Sequence, residues 1–433
     1  MIVSRKPMRW TALTLATIWL ACIGAASLGT GSVRAASATH CVNTDGSAGC
    51  STSIQAAIDA ANPGDTISIA AGTYNETVSI TKALMLQGAG AATTIIDATG
   101  LANGVVVQGT TDPVRIAGLT VENAMREGIV VGDSAQVTVT DNVVAMNDTS
   151  LQPPTKPGAM PTCPGADPLD GADCGEGLHL RGVSDSFISN NLIQGNQGGI
   201  LITDETGPSH DNWIVDNTVQ NNARDCGITL ASHPGSSSTP SSPAPGFGIF
   251  NNTVEGNIST GNGAAGVGIF TPTPGTAAYD NLVIGNTLTN NGTGGVTLHS
   301  HAPGQDLDGN MVLDNTISGN GADPGQTTDT TGIIIFSDAK SGAAPIAGML
   351  IAHNRISEEA IGIYIGTTAI DQSIHFNDLA ATGVGVDNEG TGSVDAAWNY
   401  WGCAGGPGSS GCAAMKGTVS ADAPLPQAPG AGR

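Results

Sequence analysis

The histidine and carboxylate side chains of this sequence gather behind one kind of short apolar run. After Gly199-Ile200-Leu201-Ile202 come Thr203-Asp204-Glu205 and then His210-Asp211, and after Gly227-Ile228-Thr229-Leu230 come Ser232-His233. After Gly295-Val296-Thr297-Leu298 come His299-Ser300-His301, and after Gly332-Ile333-Ile334-Ile335 come Ser337-Asp338. His179 and Arg181 hold comparable places in an earlier run, and Asp225 stands just ahead of another. Cleavage of a glycosidic bond needs two carboxyl groups, one to protonate the leaving oxygen and one to act as base or nucleophile. Asp204 or Glu205 offers one partner, and Asp225 or Asp338 the other. The catalytic candidates are thus Asp204, Glu205, Asp225, His233, His299 and His301, while His179, Arg181, His210 and Asp338 are candidates for holding a sugar. A metal reading competes with this one. His299 and His301, two residues apart on a strand, face the same side and could share a divalent cation with His233 or a carboxylate. A third reading makes all of them polar groups that finish strand ends at an acidic surface.

These residues come together only if the runs behind which they lie are stacked. Gly-apolar-any-apolar recurs at Gly128, Gly177, Gly199, Gly227, Gly295, Gly332 and Gly362, with a shorter Gly268-Ile269 among them. An Asn-headed strand precedes most of these, as at Asn191, Asn217, Asn252, Asn286, Asn315 and Asn354. The full cycle takes 22 residues from Gly177 to Gly199 and 28 from there to Gly227. Such runs are strands, too short for helices, and coils built from them bury their inner side chains only by stacking. Equivalent positions in adjacent coils then lie about 4.8 Å apart. This spacing makes Asp204 and Glu205 neighbours of His233, with His299 and His301 one coil further, at about 10 Å. The recurring Asn residues are expected to stack as hydrogen-bonded ladders inside the turns.

The segment from Ser53 through Gly90, beginning SIQAAIDAANPGDT, resembles the opening of pectin-lyase-like right-handed parallel β-helix repeat proteins of the secreted bacterial type. Trp398-Asn399-Tyr400-Trp401-Gly402 resembles the signature that closes bacterial members of that group. The resemblance implies an all-β fold, a single-stranded right-handed parallel β-helix solenoid with a short N-terminal capping helix over Ser53 to Ala61. It implies work on carbohydrate, but one scaffold of this kind serves lyases, hydrolases, epimerases, phage spikes, adhesins and metal-delivery proteins, so chemistry must come from the site. Lyase chemistry wants a basic side chain, and Arg181 and Arg224 are the only Arg or Lys between Gly177 and Leu298. The polygalacturonase pattern of an Asp-Asp doublet and a Gly-His-Gly is absent from the sequence, so its roles are not carried over. The expectation is a glycosidase-like protein working in a groove beside the stacked strands. The alternative is a non-catalytic cell-surface protein that binds carbohydrate or handles metal. Trp213, Trp398, Tyr400 and Trp401 are either sugar platforms or, for the last three, a cap over the open core.

With 14 Lys and Arg against 37 Asp and Glu, the formal net charge is −23. That field repels nucleic acid and disfavours polyanionic substrates unless a cation bridges them. Arg5, Lys6 and Arg9 ahead of an apolar run from Trp10 to Leu28 read as a secretory signal over residues 1–35. A domain over 36–420 and a disordered tail over 421–433 are expected to follow, in a monomer that is secreted or periplasmic and spans no membrane. Cysteine spacing suggests the pairs Cys41 with Cys50, Cys163 with Cys174 and Cys403 with Cys412, leaving Cys226 as a buried thiol.

Overall fold

The computed structural model describes residues 37–148, 175–232 and 247–430. Among the described residues the α-helix is Ile54–Ala60, which Ser53 begins by accepting a hydrogen bond from Ala56 N, and the Glu76 carboxylate takes the free N–H groups of Ile54 and Gln55. Ile54, Ala57 and Ile58 face inward and close the first coil. Beyond it the described chain is wound almost wholly from short parallel strands in sheets of 14, 21 and 3 strands. The right-handed parallel β-helix with its capping helix is therefore observed.

Alternation within each strand sends one set of side chains to the axis. Leu178, Ile200, Ile228, Val267, Val296, Ile333 and Ile363 pair in register through successive coils, and all are fully buried. Each such side chain contributes about 1.5–3 kcal/mol by leaving water. Asparagine does the corresponding work at the turns. Asn142, Asn191, Asn217, Asn257, Asn286, Asn315, Asn354, Asn377 and Asn399 form one ladder, each side-chain amide donating to the next side-chain oxygen. A second runs from Asn147 through Asn196, Asn222, Asn262, Asn291 and Asn320 and ends on Glu359. The residue ahead of a first-ladder Asn turns left-handed, at φ 58° for Asp141 and 54° for Asp216, a conformation that short polar side chains tolerate.

Register corrects the repeat at two points. Asn252 follows Asn212 and not Asn217, in a third ladder that continues through Asn281 to Asn310. Gly268 pairs with Thr229 and Thr297, so Gly266 and not Gly268 heads its coil. Two strands, Ile228–Ala231 and Val267–Thr271, therefore separate Gly198–Thr203 from Val296–Ser300. That makes three strand spacings, about 14 Å, instead of the expected two.

At the far end Trp401 is fully buried under the last coil, whereas Trp398 is 45% exposed and stacks on Phe376. Trp213 is likewise on the outside, 41% exposed. The segment expected as a tail carries bonds to this end: Leu425 N donates to Asn399 O, and Trp398 N to Asp422 O. Disulfides join Cys41 to Cys50 and Cys403 to Cys412. Cys163 and Cys174 lie outside the described residues. Cys226 is free and buried, and burial pushes its thiol pKa up. No helix among the described residues is long and apolar enough to cross a membrane.

Candidate functional site

The side chains that point away from the axis on the long strands form two parallel files. One reads His179, Leu201, Thr229, Gly268, Thr297, Ile334, Tyr364 and Asp387. The other reads Arg181, Thr203, Ala231, Phe270, His299, Phe336 and Gly366. Small residues fill the middle of the first file, where a Cβ on Gly268 would lie 2.9 Å from Cys226 Sγ. Ionisable groups collect on either side of that floor.

Toward the N-terminal side, Glu127, Glu176 and His179 are buried and bring one ligand atom each within 4.8 Å of one another. His179 Nε2 lies 3.1 Å from Thr203 Oγ1. The two glutamates hold equivalent places, each immediately before the glycine that heads a strand in consecutive coils, Glu127-Gly128 and Glu176-Gly177. That repeated Glu-Gly step is the trace these residues leave in the sequence, outside the candidates read from the strand ends. Arg181 is buried in the same strand as His179. Asp225 belongs here too: a Cβ on Gly198 would meet Asp225 Cβ at 3.2 Å and Glu176 Oε1 at 3.3 Å.

Toward the C-terminal side, His299 and His301 face the same way, as their spacing required, with ring centroids 5.5 Å apart and edge to face. Phe336, on the adjacent strand, meets both rings at 6.1 and 6.5 Å. His299 Nε2 is 3.3 Å from Asp323 Oδ2, an ion-pair distance without the angle for a hydrogen bond. Burial holds the His299 pKa down to about 4 although Asp323 acts in the opposite direction, so the ring is neutral at pH 7. Asp338 accepts from the Ser341 hydroxyl and from Lys340 N; these bonds, with a smaller contribution from His301, keep its pKa below the usual value. Asp323, in the loop after the ladder residue Asn320, was not singled out in the sequence.

The remaining expectations divide. Asp204 is fully buried, and its Oδ2 accepts from Ser232 Oγ at 2.8 Å and Gly248 N at 2.7 Å, so it braces chain segments below the outer face. Glu205 is buried beside it in sequence, and neither shares a coil with His299. His210 is set apart in the three-stranded sheet, stacked on Phe250 at 4.9 Å with Asp211 at 2.8 Å from its Nδ1. His233 lies outside the described residues. One continuous surface from Asp204 to His301 is thus replaced by two clusters on one face.

A family model described as right handed beta helix region matches residues 84–303, and one described as periplasmic copper-binding protein (NosD) matches residues 248–408. No curated protein matches the sequence. Among solved structures, the mannuronan C-5 epimerase AlgE4 A-module of Azotobacter vinelandii is 16% identical with a TM-score of 0.46, over 86% of this chain and 94% of that one. An alginate lyase from Paenibacillus sp. strain FPU-7 is 15% identical with a TM-score of 0.40, over 89% and 99%. Pectate lyase Pel9A is 16% identical with a TM-score of 0.42, over 71% and 77%. Likeness of this degree says nothing about chemistry. Copper calls for several convergent imidazole or sulfur donors. Within residues 248–408 no three His, Cys, Asp or Glu side chains among the described residues bring ligand atoms together, so this span does not fit a copper centre built from them.

Proposed function

Because this chain belongs to the right-handed β-helix family, whose model spans residues 84–303, we propose that it is a secreted carbohydrate-active protein that cleaves glycosidic bonds. Its substrate, a polysaccharide or oligosaccharide, lies along the outer face of the long strands. The observation that carries this reading is the neutral imidazole of His299, set against Asp323 and beside His301 and Phe336 on that face. Nε2 of this neutral ring is buried against Asp323, so Nδ1 is the nitrogen that accepts a proton from an attacking water, whose oxygen bonds to the anomeric carbon as the glycosidic C–O bond breaks and the leaving oxygen takes a proton from solvent water. Asp323 orients the ring and stabilises the cation that forms. Asp338, held ionised, supplies the negative charge that an oxocarbenium-like transition state attracts. Phe336 offers an apolar edge to a sugar ring. Export is supported by the disulfides Cys41–Cys50 and Cys403–Cys412, which persist in oxidising compartments. We assign residues 1–35 to the export signal.

The test is to incubate purified protein with neutral, amino and uronic glycans, with and without chelator, and to follow new reducing ends. At least one class is cut. His299→Ala loses about 100-fold or more in kcat, the scale of a lost general base. The acid limb of the pH profile falls near 4, the His299 value, and not near the 6.5 of an unperturbed ring. Full activity in both His299→Ala and Asp323→Asn would move the site elsewhere, and absence of any glycan cleavage or binding would end the reading.

A second reading, binding of a divalent cation, is favoured by the convergence of Glu127, Glu176 and His179. Two carboxylates and one imidazole suit zinc or manganese. Calorimetric titration with each ion separates the readings, since Glu176→Gln should weaken ion binding while leaving His299-dependent cleavage in place.

A further inference from the structure

One strand beyond Phe336, the outer face opens into a cleft of about 410 Å³ that the sequence did not foretell. The connection is direct. Phe336 pairs with Gly366, where any side chain would strike the Phe336 ring at 2.9 Å and the Tyr364 ring at 2.7 Å, so the two rings meet over a bare backbone. Tyr364 joins Ile334 and Ile361 in a small apolar cluster separate from the main core, and Phe336 packs against it. This cluster floors the cleft, and the loop that carries Asp323 continues through Pro324 to Asp329 as its wall.

Above that floor the charged groups are mostly acidic. Asp329, Asp387 and Glu389 face a single cation, Lys416. Asp387 is 2% exposed; its Oδ2 accepts from Lys416 Nζ at 3.0 Å, while its buried Oδ1 has no hydrogen-bond partner among the described residues. A buried carboxylate oxygen left in that condition costs free energy until a donor reaches it. Both carboxylates line the cleft together with the Tyr364 ring, and burial, then Glu389 and Asp387, push the Tyr364 hydroxyl pKa up. The cleft asks for a ligand that is apolar on one side, rich in hydrogen-bond donors on the other, and not negative.

We propose that this cleft is a saccharide subsite that takes uncharged or amine-bearing sugar units through Asp387 and Glu389 and turns away uronates. The proposal rests on the glycan reading above and narrows it. A sugar seated on Tyr364 donates a hydroxyl or ammonium hydrogen to Asp387 Oδ1, whereas a uronate would bring a fourth carboxylate to a site with one ammonium.

The test uses full-length protein carrying His299→Ala, so that binding is read without turnover, in calorimetric titrations. The probes are a β-glucan hexasaccharide, a chitosan hexasaccharide and a hexagalacturonate. We expect at least one of the first two to bind tenfold or more tightly than hexagalacturonate. Asp387→Asn should weaken that binding at least tenfold. Glu389→Gln, at an exposed position, serves if Asp387→Asn melts early. Loss for chitosan alone assigns the donor as an ammonium, and loss for both assigns it as a hydroxyl. Equal or tighter binding of hexagalacturonate overturns the proposal, as does binding within twofold of the parent in every variant that folds. If the unmodified protein cuts hexagalacturonate but neither other probe, the glycan reading stands and this subsite falls. If none of the three is bound or cut, both fall together.

Discussion

Asp204 shows how much a residue's depth matters. Its type and its place after a strand recommend it for chemistry, yet it is fully buried and its Oδ2 joins Ser232 Oγ to Gly248 N. Removing such an acceptor strands buried donors and costs about 1–3 kcal/mol. Asp204→Ala should therefore lower the urea midpoint by a corresponding amount, while the folded fraction keeps its kcat. Loss of activity without loss of stability would return Asp204 to the catalytic set. Alternation along a strand tells which side a residue faces, but 204 and 205 lie past the strand end, where alternation stops informing. The pairing of His299 with Asp323 was hidden for a different reason. The two are close through a loop closure, not through register, and only register was legible. What could be read was the shared direction of His299 and His301 and the presence of His179 and Arg181 on the same outer face.

At the scale of elements, the Asn ladders make a sharper statement than the strands do. The second ladder ends on Glu359, whose Oε1 accepts from both the backbone and side-chain nitrogens of Asn320. Burial raises its pKa to about 7 from 4.5, more than the two hydrogen bonds from Asn320 lower it. The fold thus prefers the protonated acid. Its stabilising contribution is complete below the unfolded value of 4.5 and is lost as pH rises through about 7. Melting temperature should fall between pH 5 and pH 8, and Glu359→Asn, which continues the ladder, should flatten that fall and raise the value at pH 8. An identical pH dependence in the variant would locate the titration elsewhere. The ladders themselves were readable because Asn recurs ahead of apolar strands. The alignment failed at Gly268, where an extra Gly two residues past the true head offered a false start, and at Asn252, which follows Asn212 while Asn257 follows Asn217.

For the molecule as a whole, the ends are the weak places, since a terminal coil has a neighbour on one side only. The disulfides Cys41–Cys50 and Cys403–Cys412 sit at these two places. Reduction should speed amide exchange in Thr39–Val42 and Ala414–Lys416 well before it does so in Val267–Thr271. Uniform acceleration would mean that the coils unfold as one unit. The middle of the chain has another property. From Asn252 to Asn320 the partners in the two long ladders, and in the third that runs through Asn252, Asn281 and Asn310, are separated by the same interval, 29 residues. Excising any 29-residue block between Asn252 and Leu298 rejoins each ladder to its own kind. The Glu127–Glu176–His179 group would then move about 4.8 Å nearer to His299 with neither group altered. Distance between the two clusters is in this sense a counted quantity, adjustable in whole steps by deletion or duplication of sequence, as length is on a tape that can be cut only at its marks.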